Sequence, residues 1–178
     1  MPLKRLTVFC GKSMINFVCK NGDIYDSMSI LTNEQGKILN ISQYVNTDHT
    51  EGYRGGILMP DLYYARSGLR KVDWTNQPLK VLRMFDHNVD IAKIHSDADL
   101  TEKMKTLPSR IPNPNHDGKE EMSDVQCHPG NEIWDWSHGC LTWLNYGRNS
   151  GGWDRIMYFI PEGEIIEVEV IDERAILE

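Results

Sequence analysis

Residues 164–171 constrain the fold more than any other stretch. Ile166, Val168 and Val170 alternate there with Glu167 and Glu169. One face is apolar and the other charged, the pattern of a half-buried β-strand, which needs neighbours. Residues 3–10 are apolar and β-leaning, and Gly11-Lys12-Ser13 breaks them. Ile15, Phe17 and Cys19 then alternate with Asn16, Val18 and Lys20, which predicts a β-hairpin with the first strand. Asn21-Gly22-Asp23 turns into a strand over 24–31, and Asn33-Glu34-Gln35-Gly36 into another over 37–41. A meander of short antiparallel strands accounts for this spacing. Residues 44–56 read as loop, 56–60 as a short buried strand ended by Pro60, and 79–85 as a further strand. Residues 62–77 are aromatic and basic without a clear period.

Two short helices interrupt the strands. Ser96 suits an N-cap, Asp97 and Asp99 suit the positive helix end, and Leu100, Met104 and Leu107 follow at helical spacing until Pro108. Trp153, Ile156, Met157 and Ile160 fall on one face of the second helix, which Pro161-Glu162-Gly163 closes. Residues 111–118 read as a loop long enough to cover a cleft. The fold class expected is mainly β, in one domain spanning 1–178.

Composition narrows the function classes. Hydrophobic residues make up 40% of 178, enough for a proper core. A net charge of −7 opposes a nucleic-acid binder, which needs a basic face, and equally a polybasic membrane-surface protein. No apolar run approaches the ~20 residues of a membrane helix. The apolar segment after Lys4-Arg5 is five residues long, short of the ~7–15 of a signal core. It reads as a strand, and the chain as one made in the cytoplasm without a signal peptide. Of four cysteines, Cys10 and Cys19 are expected in the core as small hydrophobes.

The chemistry concentrates between Cys127 and Trp143, where two His, two Cys, an Asp, a Ser and three Trp fall together. His128 precedes Cys140 by twelve residues, with Gly130 and Gly139 close by. A free thiol with pKa ~8.5 is mostly protonated at neutral pH, so a nucleophilic Cys needs a base. Residues 123–127 read as a strand that delivers His128. Gly139 permits a tight backbone that can aim neighbouring amides at one point. His before Cys disfavours the papain-like order.

Ser137-His138-Gly139-Cys140-Leu141 resembles the signature of the L,D-transpeptidase catalytic domain, the YkuD domain, and His128-Pro129-Gly130-Asn131 resembles its upstream His element. The helix, the Pro-x-Gly turn and the strand that follow are similar in outline. The resemblance covers roughly residues 123–171 and implies a β-sandwich or meander with two short helices. It implies Cys140 as nucleophile, His128 as base, and the Pro129 carbonyl as the acceptor that orients the imidazole. His138 and Ser137 would shape the site, and amides around His138, Gly139 and Cys140 would form an oxyanion hole. The substrates implied are peptidoglycan stem peptides or muropeptides, attacked by transpeptidase or carboxypeptidase chemistry without metal or cofactor. The chain would act in the periplasm or cell wall after delivery by another route, as a phage protein or an injected effector. A delivery partner and an immunity protein are the partner classes this brings. Three features depart from the family pattern: the His–Cys spacing is short, Thr142 stands where an Arg or Asn is common, and Trp134, Trp136 and Trp143 crowd the motif.

Two other readings compete. Cys127, His128, His138 and Cys140 are all zinc-type ligands, but adjacent strand residues such as Cys127 and His128 point to opposite faces. A binding module without turnover would use the Trp residues as a sugar-stacking platform, though Trp clusters more often form core. Trp136, Trp143 and Arg54 are candidate substrate contacts, and the 63–70 segment, like Arg54, offers guanidinium groups to a carboxylate. Asp135 either orients His138 or caps a turn. His49, His87, His95 and His116 read as solvated or capping residues.

Overall fold

The computed structural model describes residues 2–48, 55–73, 76–100, 106–131, 137, 139–145 and 152–173. The strands there are β1 (Arg5–Phe9), β2 (Phe17–Val18), β3 (Ile24–Tyr25), β4 (Ser27–Thr32), β5 (Ile38–Asn46) and β6 (Leu62–Arg70). They continue with β7 (Leu79–Asp86), β8 (Leu107–Asn113), β9 (Lys119–Met122), β10 (Gln126–Gly130), β11 (Leu141–Leu144) and β12 (Ile165–Ile171). Among the described residues one α-helix, α1 (Trp153–Tyr158), accompanies them. The fold is mainly β, as the sequence pattern predicts.

Eight strands close into a barrel in the order β1-β12-β6-β7-β10-β11-β5-β4, with β4 back against β1. Closure leaves the barrel sheet without a free edge, which removes the usual route to edge-to-edge aggregation there. Two pairs, β1–β12 and β10–β11, are parallel and the rest antiparallel. The alternation in β12 plays out as expected: Ile166, Val168 and Val170 are buried. Val168 lies between Leu6 of β1 and Tyr63 of β6, and Ile166 beside Ala65. Glu167 and Glu169 face outward and pair with Arg5, each at 3.3 Å. The helical face Trp153, Ile156, Met157 and Ile160 joins the same core as the inward barrel residues. Cys10 is buried in this core, and Cys19 in a smaller cluster with Tyr25 and Leu144.

Four expectations are corrected. First, β1 does not form a hairpin with residues 14–20. Its neighbours are β4 and β12, while β2 pairs with β3. The buried faces explain this: Leu6 and Val8 need company on both sides, whereas Met14, Ile15 and Val18 are exposed. Second, the helix expected from Ser96 is, in its described part, a 3₁₀ turn over Asp97–Asp99, where the Asp99 carboxylate accepts the Ser96 N–H at 2.9 Å. Residues 101–105 lie outside the described part. Third, Pro108 sits within β8, in a two-stranded sheet where one missing N–H is tolerated. Fourth, residues 111–118 are not a free loop. They turn β8 into β9, and the Asn113 side chain fixes the turn by accepting the Asn115 N–H and donating to the Glu121 carbonyl. The segment left without a period, 62–77, contains β6, which is buried on its inner face alone until Gly68.

Removing bulk from the inner face of β12 should unfold the barrel sooner. Ile166→Ala is expected to cost about 3 kcal/mol in urea unfolding through lost burial and the cavity left behind, against under about 0.5 kcal/mol for Glu169→Ala.

Candidate active site

Strands β10 and β11 are parallel neighbours, with Cys127 opposite Leu141 and His128 opposite Thr142. Side chains of one parity therefore share a face. Cys127, Leu141 and Trp143 point into the barrel and belong to its core. His128, Thr142 and Cys140, which immediately precedes β11, share the outer face. Cys127 is 0% exposed with Sγ 3.8 Å from the Met84 sulfur, and burial holds its thiol well above the usual range. That makes it a packing residue, as its place on the strand predicts. Trp143 corrects an expectation. It is fully buried, donates from Nε1 to the Ser29 hydroxyl at 2.9 Å and packs on Trp153 with ring centres 5.0 Å apart. It holds the core and does not meet substrate. Among the described residues no three His, Cys, Asp or Glu side chains gather as a metal site would require.

His128 is 4% exposed, and its Nδ1 lies 2.8 Å from the Pro129 carbonyl oxygen. A carbonyl only accepts, so Nδ1 carries the proton and Nε2 presents a lone pair. Pro129 is tolerated because β7 pairs with β10 only at Gln126 and Cys127. Beyond that point a residue lacking an N–H leaves no gap in that ladder. The His128 pKa is lowered to about 4, first by burial and further by the Arg70 charge, against the opposing pull of the Pro129 carbonyl. The imidazole is thus neutral at pH 7 and available as a base.

Cys140 is held by a tight turn. The Ser137 hydroxyl accepts the Gly139 N–H at 2.9 Å and donates to the Cys140 carbonyl at 2.8 Å. This revises the expected oxyanion hole: the Gly139 amide is taken up by Ser137 and does not point at substrate. Gly139 has φ +122°, and a Cβ there would lie 2.4 Å from the Gly56 carbonyl oxygen and 2.4 Å from the Met122 methyl. Only glycine lets the turn press this close to the backbone of residue 56. The Cys140 Sγ is partly exposed and lies 4.0 Å from the Asp124 carbonyl oxygen. His138, Trp136, Arg54, Trp134 and Asp135 lie outside the described residues.

Cys140 and His128 open on one cleft of about 520 Å³, walled also by Arg70, Arg83, Gln126 and the segment 122–125. Sequence reasoning named Arg70 only within a broader segment and missed Arg83, Gln126 and Asp124. Period-two alternation gives each strand's face, but no local signal says that β7 and β10 are neighbours. A second cavity, about 400 Å³, is lined by Asp23, Asp26, Asp48, Asp172 and Arg110, with Cys10 at its wall. It contains no paired thiol and imidazole. Thr142 Oγ1 is buried without a hydrogen-bond partner among the described residues.

Comparison with protein-family models, curated proteins and solved structures finds no match to this chain.

Gly139→Ala should cost at least about 2 kcal/mol in urea unfolding, because strain at positive φ adds to the clash with a backbone carbonyl. Gly118, at φ +77° with open space around it, is the control, and Gly118→Ala should cost about 1 kcal/mol. His128 sets a pH dependence. Between pH 6.5 and 4 the unfolded chain binds a proton that the folded one refuses, so stability falls as pH falls through this window. The loss is about 3 kcal/mol. It should appear as the difference between the pH–stability curves of the natural protein and His128→Asn.

Proposed function

We propose that the chain is a cysteine-dependent acyl-transfer enzyme acting on amide bonds of peptidoglycan stem peptides. One observation carries the reading: a neutral imidazole on β10, with a lone pair on Nε2, and a thiol on the residue before the parallel neighbour β11 reach the same cleft. The choice of stem peptides draws on the resemblance of residues 137–141 to the L,D-transpeptidase signature.

The steps balance with these groups alone. Cys140 Sγ attacks the amide carbonyl as its proton passes to His128 Nε2. The Pro129 carbonyl holds the Nδ1–H of the imidazolium that forms. His128 then gives the proton to the departing amine, leaving a thioester on Cys140. An incoming amine, deprotonated by His128, attacks the thioester and expels the Cys140 thiolate, which takes that proton back; the product is an exchanged or cross-linked peptide, and with water in place of the amine it is the free acid. Ser137 fixes the turn that presents the thiol, and Gly139 permits that turn. A binding module built on a tryptophan platform is less well supported, because Trp143 is committed to the core. Among the described residues no helix is long and apolar enough to cross a membrane. Stem peptides lie outside the cytoplasm, and the proposal places the reaction there.

Mass spectrometry of defined muropeptides incubated with the protein tests this. Loss of one terminal residue marks a carboxypeptidase, residue exchange or dimer formation a transpeptidase, and dimer cleavage an endopeptidase. Folded Cys140→Ala should lose at least about 10³-fold in turnover, and His128→Asn about 10²–10⁴-fold. Unchanged turnover in Cys140→Ala would sink the mechanism.

A further inference from the structure

The outer face of the sheet carries a row of cationic side chains that leads to the thiol. Arg66 of β6 is the register partner of Arg83 of β7, and Arg83 that of Gln126 of β10. Cys127 pairs with Leu141, so the residues before them, Gln126 and Cys140, stand side by side one strand spacing apart, about 4.8 Å.

The guanidinium groups along this face are not equivalent. Asp97 holds both Arg66 and Arg83, at 2.9 and 2.8 Å, and Arg83 also donates to the Leu69 carbonyl. Gly68 makes room for this clamp, since a Cβ there would lie 2.4 Å from Arg83 Nη1. Arg70 is different. Its side chain is exposed on the cleft, and its hydrogen bond is a long one, 3.3 Å, to the neutral amide oxygen of Gln126. Among the described residues no carboxylate lies within ion-pair distance of it. Asp124 also lines the cleft, on the segment that passes the Cys140 sulfur. A guanidinium with most of its donors facing a cleft is suited to a carboxylate, which it can grip through two parallel bonds.

We infer that Arg70 is the specificity residue of the Cys140 cleft, and that its guanidinium binds a carboxylate carried by the acyl donor close to the bond attacked. This rests on the acyl-transfer reading. The Arg70 head contacts Gln126, and Gln126 adjoins Cys140. The carboxylate therefore sits roughly 5–10 Å from the sulfur, within about three residues of extended peptide at about 3.3 Å each. The substrate class narrows to acidic peptides with a free carboxylate near the scissile amide; peptides amidated there are poor donors. Arg70 acts on binding, and His128 and Cys140 on the bond.

Two peptides decide it: a stem tetrapeptide with free carboxylates and the same peptide fully amidated. Each is titrated calorimetrically into Cys140→Ala protein with and without Arg70→Gln, and both are offered as substrates to the Cys140 enzyme. The acid peptide should bind at least about tenfold tighter than the amide, and Arg70→Gln should erase that ratio. In the Cys140 enzyme Arg70→Gln should raise KM for the acid peptide about tenfold with kcat within about threefold, and leave the amide unaffected. Arg70→Lys should restore part of the ratio, since it keeps the charge but not the fork. An acid-to-amide ratio that survives Arg70→Gln, or an acid peptide that does not bind, overturns the inference. A ratio that depends on Arg70 in a protein that turns over neither peptide sustains the anion site and sinks the acyl-transfer reading instead.

Discussion

Parallel pairing of β10 with β11 is the constraint on which the site depends. Parallel neighbours must be joined by a connection that carries the chain back to the starting end of the sheet. Here β10 ends at Gly130 and β11 begins at Leu141, with Cys140 the last residue before it. The pairing sets His128 beside Thr142 and sends both outward, while Cys127, Leu141 and Trp143 fill the barrel. One wall thus does two jobs on its two sides. A slip of one residue would exchange them, placing His128 in the core and Cys127 in the cleft. Trp143 opposes such a slip, because it is buried and hydrogen-bonded to Ser29 across two strands.

Electrostatics follow from that wall. Burial against the barrel keeps the imidazole of His128 uncharged, and the adjacent carbonyl fixes which nitrogen carries the proton. The result is a base with one tautomer and one open lone pair. The Asp97 clamp divides the three arginines of β6 and β7 into two that are tied down and one that is exposed on the cleft. The unpartnered hydroxyl of Thr142 on the same face is a buried polar group of the kind that costs stability.

Local periodicity carried much of this into the sequence. The alternation of β12 and the single apolar face of α1 both read through to burial, because neither depends on which element packs against it. The opposite faces of Cys127 and His128 were legible for the same reason. Partnership was not. Nothing near Leu6 says that its neighbours are β4 and β12 rather than the next segment along. Pro108 looks like a helix stop until β9 is seen beside it. The Gly139 amide reads as available for substrate in the sequence, but the Ser137 hydroxyl, two residues away, accepts it. Trp143 read as a surface contact because its neighbours in sequence are chemical residues, yet the strand's parity turns it inward.

The cleft stands on the convex wall of the barrel rather than inside it, and Cys140 remains partly open to solvent. On the proposed chemistry an acyl group held by this sulfur would face bulk water on one side. Every amine acceptor would then compete with water at 55 M for the same thioester. The partition between exchange and hydrolysis would be set by acceptor occupancy and by thioester lifetime, and the same protein would yield different products in crowded and dilute surroundings.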